Sequence, residues 1–285
     1  MKKVKVSVVI VSFNTKEILK NCLNLLAKAS HKINLEVIVI DNNSKDGSPQ
    51  AVKKEFPKVK LIKNPRNLFL HKAFNQGLER SRGNYILFLN SDTLPQARTI
   101  QKSLEFLRLN PNVAAVSCKH IEPGGNIDKT CSRFPTPLLE IIQSLVFLKL
   151  AQKTKFYKDY KYSTWSRNSI KNVNVIPGSY IFIRKEIIKK LNGFDENLKL
   201  FYGDVDLCVR IAKLKLHIYH LPQRIIHLRA QSINKLPKKQ LRDIVRKDTF
   251  YYYKKHFGIL AELVLKIVLS PNWLYWKLKK PYEDK

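Results

Sequence analysis

Val37-Ile38-Val39-Ile40-Asp41-Asn42-Asn43-Ser44-Lys45-Asp46-Gly47-Ser48 is the stretch from which the fold follows. An unbroken β-branched run stops at a carboxylate and gives way to Asn, Ser, Asp and Gly. A short apolar run without alternation marks a strand covered on both faces, as in a parallel sheet. The residues after it are those of turns, which bend the backbone and bond it locally. Val6 to Ser12 repeats the pattern upstream, and Tyr85-Ile86-Leu87-Phe88-Leu89 repeats it downstream before Asn90-Ser91-Asp92. In open α/β sheets the crevice beyond such strand ends holds the ligand.

Between these runs the period changes from strand to helix. Ile18, Leu19, Cys22, Leu23, Leu25 and Leu26 space a helix that starts at Thr15. Strands are expected at 35–40, 58–62, 85–89 and 113–118, with helices at about 48–56, 72–81 and 95–109. Repeated βα units of this length predict an α/β fold with a mostly parallel, doubly wound sheet. After Cys118 the rhythm breaks: Pro123-Gly124-Gly125-Asn126 predicts a hairpin turn, and 138–150 has helical apolar spacing. Residues 153–172 show no period and are expected to form a mobile loop. A strand near 174–183, broken by Pro177-Gly178, a helix at 185–191 and another from about Asp204 complete the core.

The chain has 285 residues, 44% of them hydrophobic and 10% aromatic, a globular composition. Its formal charge of +31 points to an anionic partner. No nucleic-acid-binding module or basic-aromatic repeat accompanies that charge, so no specific nucleic acid is expected. The four cysteines are widely separated without ligand spacing, which fits a reducing cytosol. No small-residue cleavage site follows the N-terminal apolar run, so no signal peptide is expected. Phe257 to Leu269 is apolar, carries Glu262 and Lys266 as a helical pair, and is expected to stop at Pro271. With Trp273, Tyr275, Trp276 and Lys277 beyond, it has the composition of a helix lying in a membrane interface; packing on the domain's own core is the alternative.

Asp41 stands where a carboxylate can accept the imide N–H of a pyrimidine base or a ribose hydroxyl. Asn90 and Asp92 form an oxygen-rich pair suited to Mg²⁺ or Mn²⁺ on a diphosphate, with helix capping by Asp92-Thr93 as the alternative. A third acidic cluster, Asp195-Glu196 followed by Asp204-Val205-Asp206, offers a carboxylate to take a proton from a hydroxyl, or else caps for a helix. His227 is either a metal or phosphate contact or a structural histidine.

Taken in order, these motifs resemble an inverting family 2 glycosyltransferase with the GT-A fold, of the branch that includes bacterial rhamnosyltransferases. The matching positions run from Val6–Asn14 and the Asp41 turn through Asn64-Pro65-Arg66-Asn67 and Asn75-Gln76-Gly77 to Leu89-Asn90-Ser91-Asp92-Thr93. They end with Gly193-Phe194-Asp195-Glu196, Asp204-Val205-Asp206-Leu207-Cys208-Val209-Arg210 and His227, so the resemblance covers roughly 4–232. It implies a donor site at Ser12, Asn14, Asp41, Asn43, Asn67, Asn75, Asn90 and Ser91. It further implies a metal at Asp92 and His227, Asp204 as general base, and Asp195, Glu196 and Asp206 on the acceptor side. Two departures stand out: Asn67-Leu68-Phe69-Leu70-His71 replaces the family's Asn-x-Gly-Phe-Ala, and Gly203-Asp204 replaces its Glu-Asp pair.

The expected organisation is a GT-A domain at 1–231, with a nucleotide-binding half at 1–118 and an acceptor and metal half at 119–231. A basic, aromatic helical extension follows at 232–285. The implied activity is metal-dependent transfer of a hexosyl or rhamnosyl group from a UDP- or dTDP-sugar to a glycan or lipid-linked acceptor in bacterial cell-surface polysaccharide synthesis. The expected location is the cytoplasmic, anionic face of the cell membrane. The alternative is a non-catalytic nucleotide-sugar-binding or scaffold relative, motivated by Gly203 and Phe69.

Overall fold

The computed structural model describes residues 5–144, 153–229 and 231–279. Four strands form a parallel half-sheet: β1 (Val6–Ser12), β2 (Leu35–Asp41), β3 (Lys60–Lys63) and β4 (Tyr85–Asn90), in the order β3-β2-β1-β4. Helices α1 (Lys16–Ser30), α2 (Ser48–Glu55) and α3 (Leu70–Arg80) connect them. β2 lies on one side of β1 and β4 on the other, so the strand order reverses at β1 and opens a crevice at the carboxyl ends. Register brings those ends together: Ser12 pairs with Asp41, and Val11 with Asn90.

Alternation along the strands explains their continuous apolar character. Val6, Val8 and Ile10 of β1 and Leu87 and Leu89 of β4 face one core cluster, with Leu19, Leu23 and Leu26 of α1. Val9, Val11, Ile86 and Phe88 face the opposite cluster, with Ala73, Phe74 and Leu78 of α3. With both faces covered, neither set can be polar. On the second face α3 approaches so closely that a Cβ on Gly77 would lie 2.2 Å from Val9 Cγ1.

The sheet continues through β9 (Tyr180–Arg184), antiparallel between β4 and β6 (Val113–Ile121), with α4 (Ala97–Leu109) leading into β6. The expected hairpin turn joins β6 to β7 (Ile127–Asp128). The last long strand, β10 (His217–His227), runs parallel to β6, pairs with β8 (Lys171–Asn172), and meets β5 (Thr93–Pro95) at the sheet edge. Sequence pattern does not predict β10 or β5. β10 carries Pro222, which has no N–H for the ladder, and its register jumps from Leu221↔Cys118 to Arg224↔Lys119. Beyond that bulge the strand turns onto β5, and His227 comes to lie opposite Thr93.

Outside the sheet lie α5 (Pro137–Ser144), α6 (Lys155–Tyr160), α7 (Lys185–Lys190) and α8 (Gly203–Lys213). Residues 145–150 of the helical spacing expected at 138–150 lie outside the described residues. The stretch 153–172 has more order than its missing periodicity predicts. It contains α6, and the buried Arg167 guanidinium donates to the carbonyls of Lys161, Tyr162 and Trp165. Trp165 packs edge-on against His220 at 4.7 Å. Such a knot is invisible to periodicity because side chain to carbonyl bonds hold it.

The C-terminal helices are α9 (Lys238–Phe257) and α10 (Ile259–Lys279). They dock on the domain through Tyr252, Tyr253, Leu265 and Leu269, which surround Leu198. The Glu262–Lys266 pair forms at 2.7 Å. Pro271, however, does not end the helix, which continues to Lys279. Proline at this position leaves the Ile267 carbonyl without its usual donor, and the Ser270 hydroxyl donates to it at 3.1 Å. Packing on the domain's own core is observed for Leu265 and Leu269, which are buried, while Leu260, Leu263, Val264 and Ile267 are exposed.

Candidate active site

Three turns meet over the crevice. After β1, Asn14 takes a positive φ of 54°, and its Oδ1 accepts the Lys45 N–H at 2.7 Å while its own N–H donates to Ser44 Oγ at 2.9 Å. After β2, Asp41 is buried, with Oδ1 accepting the Ser44 N–H at 3.0 Å and Oδ2 left without a partner. Burial raises the Asp41 pKa, only partly opposed by its bonds with Ser44. Asn43, also at positive φ, accepts from Lys45 Nζ. Ser12 and Ser91 are tied through Thr15, whose hydroxyl lies 3.4 Å from Ser12 Oγ and donates to Ser91 Oγ at 3.0 Å.

A cavity of about 230 Å³ opens beyond β1 and β4. Asn42, Asn67, Asn90, Ser91, Asp92, His227, Arg229 and Ser232 supply its polar lining, and Val11, Phe13, Phe69, Leu70, Leu200 and Leu236 much of the rest. Asp92 Oδ1 and Asn90 Oδ1 are buried there without hydrogen-bond partners, a cost that a ligand would relieve. Asp92 Oδ2 accepts the Gln231 N–H at 3.3 Å, and its backbone carbonyl accepts the Leu228 N–H at 2.9 Å, which fastens β10's exit over the site.

His227 lies between two carboxylates. Nε2 is 3.5 Å from Asp92 Oδ1, and Nδ1 is 3.8 Å from Asp128 Oδ2. Burial works against a charged imidazole, but Asp128 and Asp92 outweigh it and raise the His227 pKa to about 9. Arg229, at positive φ, reaches Asp128 at 3.6 Å and Glu122 at 2.6 Å. The crevice therefore has a carboxylate floor and a cationic rim. Among the described residues no three His, Cys, Asp or Glu side chains form a metal cage. The orphaned oxygens of Asp92 and Asn90 nevertheless suit a hard cation that takes one or two protein ligands and fills its shell with water and phosphate.

The other expected residues part company with this cavity. Asp204 does not line it; at the first turn of α8 it accepts the Gly178 N–H at 2.8 Å and the Val205 N–H at 2.9 Å. The link is short, because the neighbouring Ser179 carbonyl accepts the Asn90 N–H at 3.2 Å. Asn75, expected among the donor residues, is committed elsewhere: it exchanges two backbone bonds with Phe194 and donates to Glu196. Glu196 itself pairs with Lys72 at 2.9 Å.

Asp195 and Asp206, expected on the acceptor side, are bound up with α9. Asp195 accepts from Tyr251 and Lys255. The fully buried Asp206 meets Lys255 at 2.6 Å, His256 at 2.9 Å and Arg210 at 2.7 Å. Those partners overcome its burial and hold its carboxyl far below the usual range. Sequence reasoning missed Asp128, Arg229 and Phe13. Asp128 carries no local signal, and only the hairpin brings it to His227. The bulky residue at Phe69 was visible, although its place in the cavity wall was not.

Comparison with known proteins gives three likenesses. A family model described as glycosyl transferase family 2 matches residues 7–191. An N-acetylglucosaminyl-diphospho-decaprenol L-rhamnosyltransferase of Mycobacterium tuberculosis is 23% identical over 238 residues, 79% of this chain and 76% of that protein. Among solved structures, the mannosyltransferase PcManGT of Pyrobaculum calidifontis, in complex with GDP-Man and Mn²⁺, superposes with a TM-score of 0.57 at 15% identity, covering 99% of this chain and 88% of that one. Residues 1–349 of S. aureus TarS in complex with UDP-GlcNAc give 0.56 at 18% identity, covering 94% and 71%.

Proposed function

We propose, from the premise that the chain belongs to glycosyl transferase family 2, that it moves a sugar from a nucleoside diphosphate to a lipid-linked glycan in cell-surface polysaccharide synthesis. The observation that carries this reading is the pair of orphaned oxygens, Asp92 Oδ1 and Asn90 Oδ1, buried in a crevice rimmed by His227 and Arg229. Those acceptor oxygens suit a divalent cation, and the cationic rim suits the diphosphate that would accompany it. Asp41, with its unpartnered Oδ2 at the next strand end, would accept from a base or ribose.

Asp92, with Asn90 beside it, would hold Mg²⁺ or Mn²⁺, and the charged His227 would contact the diphosphate. The cation would offset the charge that develops on the departing diphosphate. Asp204 takes the proton from the acceptor hydroxyl as that oxygen attacks the anomeric carbon, so configuration inverts and no covalent sugar-enzyme forms. Among the described residues Asp204 accepts only backbone N–H groups and is linked to the end of β4 through Gly178–Ser179, whereas Asp195 and Asp206 are paired with cationic side chains of α9, which favours this assignment.

The donor class rests on likeness: the M. tuberculosis relative's name gives L-rhamnose as the sugar moved and a diphospho-decaprenol-linked sugar as acceptor. A membrane-borne acceptor would also suit the exposed apolar face of α10 and the formal charge of +31, which favour binding at an anionic surface. No helix among the described residues is long and apolar enough to cross a membrane.

The test is nucleotide release and sugar transfer from a panel of UDP-, dTDP- and GDP-sugars, with and without Mg²⁺ or Mn²⁺. Asp92→Asn is expected to lower turnover by about 100-fold or more. Asp204→Asn should lower transfer by about 10²–10⁴-fold while donors still raise the melting temperature. Undiminished transfer by folded Asp204→Asn protein removes it as the base. Donor stabilisation without turnover by the wild type points to the non-catalytic alternative.

A further inference from the structure

Phe69 has a backbone conformation that its side chain disfavours. Its φ of 64° and ψ of −171° lie in a region populated almost only by glycine. The surroundings enforce this. The Phe69 N–H donates to Asn67 Oδ1 at 2.9 Å, and its carbonyl accepts from Asn42 Nδ2 at 3.0 Å. Asn42 is held by Asn64, which exchanges two amide bonds with Gln76 of α3. On the other side the Leu70 N–H donates to the Lys199 carbonyl, and Lys199 Nζ sits 5.0 Å from the centre of the Phe69 ring. Strained residues held this firmly cluster at functional sites, and Phe69 is one of the residues lining the cavity.

We propose that Phe69 selects the donor sugar, favouring a 6-deoxyhexose over a hexose or an N-acetylhexosamine; this rests on the transferase reading above. With Leu70, Leu200 and Leu236 it supplies apolar lining to the cavity that Asn90, Ser91 and Asp92 also line. A sugar whose diphosphate lies at Asp92 would share the cavity with that apolar lining. A methyl group there gains by leaving water, whereas a hydroxymethyl or acetamido group loses its water without a guaranteed partner. The aromatic face also suits the C–H face of a pyranose. Glycine at this position would meet the backbone requirement without strain but would leave no wall.

The experiment uses the full chain and two variants, Phe69→Gly and Phe69→Ala, which lose the same ring but differ in tolerance of positive φ. Thermal unfolding without ligand should place the Gly variant several degrees above the Ala variant, the reverse of their usual order. Nucleotide release from dTDP-rhamnose, UDP-glucose and UDP-GlcNAc should show the wild-type preference for the deoxy donor falling about tenfold or more in both variants. Phe69→Tyr, which keeps the ring and adds a hydroxyl, should shift preference toward the hydroxylated donors. An active wild type whose donor ratio is unchanged in all three folded variants overturns the assignment of Phe69 alone. So does a Gly variant that melts below the Ala variant. A wild type that neither turns over nor is stabilised by any donor overturns the transferase reading and this inference with it.

Discussion

At the scale of single residues, two departures from the family pattern answer one another. A Cβ on Gly203 would lie 2.1 Å from His71 Nε2, so the imidazole occupies space that any larger residue at 203 would need. His71 is buried, with Nδ1 2.5 Å from the Leu198 carbonyl, and burial lowers its pKa. Gly203→Ala is therefore expected to destabilise the protein by about 1–3 kcal/mol through overpacking. In urea unfolding, His71→Ala should recover most of that loss when combined with Gly203→Ala, giving a non-additive cycle. Additive effects would mean that the ring moves aside freely. Neither position hints at the other in sequence, because their proximity is created by α3 packing beside α8.

At the scale of elements, buried carboxylates fasten pieces of the chain together. Asp248 of α9 is fully buried and accepts the N–H groups of Lys199, Leu200 and Phe201 at 2.9–3.1 Å. Leu200 lines the cavity, so α9 holds one wall of the site. Asp248→Ala should cost about 3–5 kcal/mol in stability and should raise the donor KM; an unchanged KM in folded protein would show that this wall holds without α9. Glu36 of β2 plays a comparable role at the opposite strand ends, accepting from Ser7, Lys60 and Arg82. Burial opposes its charge, but these bonds outweigh that and draw its carboxyl down to about 2. Its folded pKa is depressed, so its contribution is complete above the unfolded value of 4.5 and is lost as pH falls toward about 2. Denaturant midpoints measured across that window should fall with acid in the wild type and flatten in Glu36→Gln; parallel curves would assign the acid limb to other groups.

At the scale of the whole molecule, a strong positive charge combines with an apolar ridge on α10 formed by Ile259, Leu260, Leu263, Val264 and Ile267. Co-sedimentation with anionic vesicles is expected to fall steeply as salt rises, and Leu260→Asp with Ile267→Asp should abolish what remains at moderate salt. Equal binding to neutral vesicles, or none by the wild type, would leave the ridge without this role.

The sequence by itself determined the parallel half-sheet and the strand-end positions of Asp41, Asn90 and Asp92. Strands covered on both faces must be apolar throughout, and the turns that follow them are written in local residues. It left β10 obscure, since Pro222 and the bulge erase any regular pattern. Only the tertiary structure decided which polar groups face the cavity. Asp195, Asp206 and Asn75 resemble site residues by motif, but Lys255, His256 and the Phe194 backbone engage them. Asp128 carries no such motif, yet it stands at His227; Phe69 departs from its motif's glycine, yet it lines the cavity. The reason is physical: a side chain's availability depends on partners from distant parts of the chain, and those meet only when the elements pack.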